Sequence, residues 1–249
     1  MSVPIEDVAT YLDERLRIHE FDEPDSNGLL LRASDEVRRV AVAVSASHHA
    51  IEGAAAAGAQ LLLTHHPSWE RFDLGHAARK REILGARGLS HYAAHSSLDG
   101  APGISNSDGC ADALGVRVER RFLSYCGGLA GIIGRADGTF AELVERAGMA
   151  FGVPVESWAN AATFGVVAIA SGRADTPQAI EEARTLGADT YVTGEGNMWT
   201  KLYARESGVN LVFGTHYATE TYGVKALGRL IEERFGLPCT FVPEANGIR

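Results

Sequence analysis

Leu61-Leu62-Leu63-Thr64-His65-His66-Pro67 is an apolar run that carries two adjacent histidines to a point where a proline halts it. Successive strand residues face opposite sides, so neighbouring imidazoles on a regular strand point apart. They converge only where the strand ends and the backbone bends. Pro67 imposes that end by fixing its own φ and biasing His66 toward an extended conformation. His65 and His66 therefore read as a strand-tip pair facing a common cleft. Neutral imidazole is the commonest metal ligand, and strand tips of open α/β sheets are where ligands bind. The pair points to a metal site completed by ligands from elsewhere in the chain.

Working outward, Arg38 to Ser45 is a buried-type strand and the alanine-rich stretch His48 to Ala59 suits a helix, so strand, helix and the Leu61 strand form one βαβ unit. If its strands are parallel, Ser45 and the second pair, His48-His49, sit at the same sheet edge as His65-His66; a solvated pair at a helix start is expected for His48-His49. Upstream, Pro4 opens a helix with Ile5, Val8, Leu12 and Leu16 on one face, and Asp25-Ser26-Asn27-Gly28 is a turn leading into Leu29 to Leu31. Downstream, Trp69 to Leu74 reads as a loop, Ala77 to Ala86 as a charged helix, and Leu89 to Ala94 as a third strand that delivers His95 and Asp99. Asp108 to Leu114 is a short helix. Tyr125 to Gly134 is glycine-rich but lacks the ending of a P-loop and the placement of a dinucleotide fingerprint, so its glycines mark a bulge or close backbone contact. Thr139 with Glu142 caps a helix to Ala150. Strands follow at Asn160 to Ser171, Ala188 to Thr193 and Val209 to Gly214, with a helix opened by Thr176-Pro177 and a long one from His216 through Glu233.

The chain has 249 residues, enough for one large α/β domain or two lobes, and its 45% hydrophobic and 22% charged residues are those of an ordinary globular protein. A net charge of −9 argues against a protein that grips a nucleic-acid backbone. Cys110, Cys126 and Cys239 are odd in number and far apart, which fits buried thiols in a reducing cytoplasm rather than disulfides or a thiolate zinc site. The charged N-terminal residues are wrong for a signal peptide, and no apolar run approaches membrane-spanning length.

The halves share a plan. Gly58-Ala59 followed by Thr64-His65-His66 matches Gly187-Ala188 followed by Thr193-Gly194-Glu195, and His95-x-x-x-Asp99 matches His216-x-x-x-Glu220. Such similarity suggests two related lobes, approximately 1–125 and 126–249, whose strand tips meet. It also gathers His65, His66, His95, Asp99, His216 and Glu220 as candidate ligands. On a helix His216 and Glu220 share a face at i,i+4 spacing. Four imidazoles and two carboxylates exceed one tetrahedral ion but suit two ions about 3.5–4 Å apart. Mixed nitrogen and oxygen ligation favours zinc, manganese, iron or cobalt.

Taken together, Leu63-Thr64-His65-His66-Pro67, His95 to Asp99, Val192 to Glu195 and Gly214 to Glu220 resemble the GTP cyclohydrolase I type 2 homologue family, also called NIF-three-like. The likeness runs from Asp25 to Glu220, and four motifs in the right order make it specific. It implies an α/β fold of two interlinked, pseudo-repeated lobes, with those six residues holding a dinuclear metal centre. It also implies a ring-shaped homohexamer. The chain matches the short form, without an inserted extra domain. It departs from the family at Ser45, where members commonly carry an aspartate.

Two function classes follow. One is a hydrolase in which two divalent cations acidify water and polarise a C–N or P–O bond of a small anionic substrate, possibly a nucleotide such as GTP. Glu195 is its candidate for proton transfer or for supporting a ligand histidine. The other is a non-catalytic metal-binding scaffold or regulatory assembly. The ligand count favours the first, because it leaves coordination positions open.

Overall fold

A computed structural model of the chain describes residues 2–244. Met1 and 245–249, the ends of the span read above as one domain of two lobes, lie outside the described residues. Two compact units are present. The first comprises the described residues up to Ala101, Cys126–Gly128 and those from Gly223 onward; the second comprises Pro102–Tyr125 and Leu129–Tyr222.

In the first unit β1 (Val3–Pro4) leads into α1 (Ile5–Leu16), which buries Ile5, Val8, Leu12 and Leu16 on the predicted face. Next come β2 (Asn27–Leu31), β3 (Glu36–Val37), β4 (Val40–Ser45), α2 (His48–Ala56) and β5 (Leu61–His66). The run continues with α3 (Glu70–Asp73), α4 (His76–Ala86), β6 (Ser90–Ala94) and the single-turn α5 (Ser96–Asp99). Strands β4, β5 and β6 are parallel neighbours, β2 runs antiparallel beside β6, and Cys239–Phe241 joins the other edge parallel to β4. Val40, Val42 and Val44 alternate with Ala41 and Ala43, and the two alanines pack against Ala50, Ile51 and Ala54 of α2 and Leu84 of α4. Small residues on both partners let that helix lie close, while each fully buried Leu or Ile contributes about 1.5–3 kcal/mol.

The second unit contains α6 (Asn106–Leu114), β7 (Arg117–Tyr125), all but the first residue of β8 (Gly128–Arg135), α7 (Phe140–Phe151), β9 (Glu156–Trp158) and β10 (Val166–Ala170). It continues with α8 (Pro177–Thr185), β11 (Thr190–Thr193), α9 (Met198–Glu206), β12 (Asn210–Phe213) and the start of α10 (His216–Phe235). Its sheet order is β7-β8-β10-β11-β12-β9. Val167, Ile169, Val192 and Val212 face α6 and α7, whereas Ala168, Tyr191, Leu211 and Phe213 face α8 and α9. Burial on both faces is what makes these strands continuous apolar runs rather than alternating ones.

Strand order carries the repeat. In β4-β5-β6-β2 and again in β10-β11-β12-β9, three parallel strands are followed by one antiparallel strand, with helices in the corresponding connections. The predicted cap of α7 is present as a reciprocal Thr139–Glu142 pair. Gly131 and Gly134 of β8 lie where a Cβ would strike Phe122 and the Arg117 carbonyl, the close contact expected of glycines in this strand.

Some expectations are corrected. The strand read from Asn160 begins only at Val166, because the Asn210 side chain accepts from the backbone N–H groups of Asn160 and Ala161 and diverts them from the ladder. Trp69 to Leu74 contains the turn of helix α3 rather than loop alone. Of the three thiols only Cys110 is buried; Cys126 lies in the turn between β7 and β8 and Cys239 on an edge strand, and both are partly exposed. Among the described residues no helix is long and apolar enough to cross a membrane.

Candidate metal centre

Parallel pairing sets Ser45 opposite His66, so the tips of β4 and β5 coincide as the βαβ reading requires. In the first unit β5 ends at His66, β6 ends at Ala94, and His95 follows immediately. The rings of His65 and His66 are 4.7 Å apart, and that of His95 lies 5.0 Å from His65 and 5.6 Å from His66. One ring nitrogen from each of the three can be chosen so that all lie within 4.8 Å of one another. Asp99, on the turn of helix after His95, brings Oδ2 to 3.7 Å from His65 Nε2. The first unit thus brings four of the predicted ligands together.

The outer hydrogen bonds of these rings decide which nitrogen could bind an ion. Ala94 O can only accept, so His65 donates to it from Nδ1 at 2.8 Å and presents a basic Nε2 on the Asp99 side. His95 donates from Nδ1 to Glu23 Oε2 at 2.7 Å, so Nε2 is the nitrogen with which it could bind an ion. Burial pushes the Glu23 carboxyl up, but the hydrogen bond and charge of His95, together with Ser96, outweigh it and hold the group below its usual value. His66 Nδ1 lies 3.0 Å from Ser45 Oγ. The hydroxyl fixes the ring as a carboxylate would, without adding charge to it.

In the second unit α10 opens at His216, and His216 Nε2 stands 3.2 Å from Glu220 Oε1 across one turn of helix. Glu195, just beyond β11, accepts from His216 Nδ1 at 2.7 Å. Burial lowers the His216 pKa, but the Glu220 and Glu195 carboxylates overcome it and raise it to about 9. Two glycines make room for this pair. Gly172 has φ +66°, and a Cβ there would run into Glu220 Oε1. At Gly194 a Cβ would lie 2.6 Å from the Gly172 carbonyl and 2.9 Å from His216 Cα. The glycines hold space for a carboxylate aimed beside an imidazole, a donor pair suited to a divalent ion.

His48 and His49 are exposed at the start of α2, behind the Ser47 cap, as expected for a solvated pair. Several residues escaped the sequence reading. Glu23 lies in a short turn upstream of β2, and 72 residues separate it from His95. Trp69 packs its ring 4.9 Å from His95 and 5.6 Å from His66, and donates from Nε1 to Ser26 Oγ at 2.9 Å. Gly172 was hidden too, since only its φ and its neighbours distinguish it. An aromatic residue two positions after the His-His-Pro run was the one available signal, pointing to Trp69.

A family model described as Duf34/NIF3 (NGG1p interacting factor 3) matches residues 3–247. The chain is 33% identical to a "GTP cyclohydrolase 1 type 2 homolog" of Deinococcus radiodurans, covering 98% of this chain and 94% of that one. Identity is also 33% to a Halobacterium salinarum protein of the same name, over 98% and 99% of the two chains. Among solved structures, protein ybgI, described as of unknown function, superposes with a TM-score of 0.88 at 23% identity over 98% and 99% of the chains, a likeness of fold. TTHA1606 of Thermus thermophilus gives 0.79 at 28% identity over 98% and 100%.

Proposed function

The chain belongs to the Duf34/NIF3 family, and on that footing we propose that it is a metal-dependent hydrolase of a small anionic substrate, with a nucleotide such as GTP the leading candidate. The observation that carries this reading is the cluster of His65, His66 and His95, with a nitrogen from each within 4.8 Å of the others. In the proposal His65, His66, His95, Asp99, His216 and Glu220 hold two divalent ions, drawn from zinc, manganese, iron or cobalt. Three imidazoles and one carboxylate match the donors of one ion, whereas His216 and Glu220 are too few for an ion of their own and call for a centre completed by other ligands.

Bound there, two cations would acidify water and polarise the bond under attack. The protein's part is orientation. Ala94 O and Glu23 fix the tautomers of His65 and His95, and Ser45 holds the ring of His66. Glu195 Oε1 accepts from His216 Nδ1 and aims Nε2 toward Glu220; that Glu195 oxygen is placed to take up a proton from the ring. The names of the curated relatives support GTP as the first substrate to try. The acidic chain repels long polyanions, but cations in the site attract a small phosphate-bearing molecule within a Debye length of about 8 Å. The reading includes a cytoplasmic homohexamer.

The test is elemental analysis of reloaded protein, light scattering, and steady-state kinetics across nucleotides, phosphoesters and cyclic amides for wild type, Asp99→Ala and Glu220→Ala. Two ions per chain, a mass six times that of one chain, and loss of turnover larger than loss of apparent substrate affinity in both variants are expected. A loaded wild type that turns over nothing would leave the chain a metal-binding assembly.

A further inference from the structure

Beside the histidine cluster, the segment from Ser68 to Asp73 is tied down at both ends. Ser68 Oγ donates to Asp73 Oδ2 at 2.5 Å, and the buried Lys80 donates to Asp73 Oδ1 at 2.7 Å. Burial pushes the Asp73 carboxyl up, but the Lys80 and Ser68 hydrogen bonds outweigh it and hold it below its usual value. Trp69, bonded to Ser26 and packed on His95 and His66, fixes the segment against the cluster. None of these interactions contributes a ligand. They hold a short exposed stretch in one conformation at the edge of a metal site.

That stretch presents Arg71 and Phe72. Phe72 is 70% exposed, an unusual place for a large apolar ring, and it meets Trp69 edge-on at 5.7 Å. The Arg71 guanidinium is exposed too and stands 4.8 Å from the Phe72 ring and 5.4 Å from the Trp69 ring. Among the described residues no carboxylate pairs with Arg71, although acidic residues outnumber Lys and Arg 32 to 23. Two aromatic faces therefore hold a planar cation in place without neutralising it. Trp69 links this cation directly to the ring of His95.

We infer that Arg71 and Phe72 form the substrate-recognition element of this site, with Arg71 taking the phosphate of a nucleotide and Phe72 packing on its base. A guanidinium binds phosphate through two parallel N–H donors, and an exposed ring offers a stacking face to any base. Arg71 is thus a specificity-determining residue that touches no metal. The inference rests on the hydrolase reading for the kind of substrate, but its test does not need turnover.

The experiment titrates metal-loaded wild type, Arg71→Ala, Arg71→Lys and Phe72→Ala with GTP, with guanosine and with inorganic phosphate, by calorimetry. Metal content and melting temperature are recorded for each protein. Arg71→Ala should weaken GTP binding about tenfold or more and leave guanosine binding within twofold, with Arg71→Lys between it and wild type, since Lys keeps the charge but loses the fork. Phe72→Ala should weaken GTP and guanosine alike. All variants should keep the metal content of wild type. Wild-type GTP affinity in Arg71→Ala overturns the assignment, as does equal loss of GTP and guanosine in that variant. Binding of inorganic phosphate as tight as that of GTP, or no binding of GTP by loaded wild type, overturns a nucleotide as the ligand. GTP bound through Arg71 but never turned over refutes GTP as the hydrolase's substrate and leaves this assignment standing.

Discussion

Removing the Glu23 carboxylate tests whether the histidine cluster is a metal site held ready by its surroundings. Glu23 Oε2 accepts from His95 Nδ1 at 2.7 Å with a side chain only 17% exposed, so little water competes for that nitrogen. A hydrogen bond to a charged group contributes about 1.5–3 kcal/mol. Outer partners of ligating histidines typically govern about 10–100-fold in metal affinity, or about 1.4–2.7 kcal/mol. Glu23→Ala should reach the upper part of that range, because it loses both the charge that makes Nε2 more basic and the acceptor that fixes the ring. Glu23→Gln keeps an acceptor and should fall near tenfold. Glu23→Ala also loses the His95 bond in the metal-free protein, so it should cost about 1.5–3 kcal/mol of stability. Competition with a chromophoric chelator measures affinity, and thermal melting of the metal-free protein measures the fold. Affinity of folded Glu23→Ala within twofold of wild type would refute the reasoning, as would a loss of metal that merely tracks unfolding.

Three further outcomes are expected. Gly172→Ala forces a Cβ onto Glu220 Oε1 at a backbone φ of +66°, so it should destabilise by about 1–2 kcal/mol or more in urea titration and lower metal content, whereas Gly187→Ala, with φ +95° but no atom near its Cβ, should show the backbone cost alone. His216, raised to about 9 by its carboxylates, must release a proton to bind an ion, so metal affinity should climb up to about tenfold per pH unit through neutrality and level off above about 9. In the metal-free protein the sign reverses, since a raised histidine pKa contributes stability below 6.5 that is lost as pH rises through about 9. His91 is fully buried beside Thr64 Oγ1 and burial lowers it from 6.5 to about 4, so its contribution is present above 6.5 and is lost as pH falls toward 4. Urea melts of wild type against His91→Gln should differ by about 2 kcal/mol less at pH 5 than at pH 7; an unchanged difference would show that the ring is already charged or hydrated.

The elements and their repeat were legible in the sequence because they rest on local rules. The spacing of Ile5, Val8, Leu12 and Leu16 needs no partner to specify a helical face, and the apolar runs at Leu61 and Thr190 could belong only to short buried strands between turn residues. The candidate ligands were legible for the same reason. Pro67 ends a strand just past two histidines, and His216 and Glu220 stand one helical turn apart whatever surrounds them. Tertiary structure alone decided what holds them. Glu23 and His95 are brought within hydrogen-bond distance across 72 residues, His65 is bonded to a carbonyl of the neighbouring strand, and Gly172 marks the space that Glu220 fills. Those partners are chosen by which strands lie side by side and by which side chain fills the remaining gap. A periodic pattern along the chain fixes the direction a residue faces, while the atom it meets there depends on the packing of segments far apart in sequence.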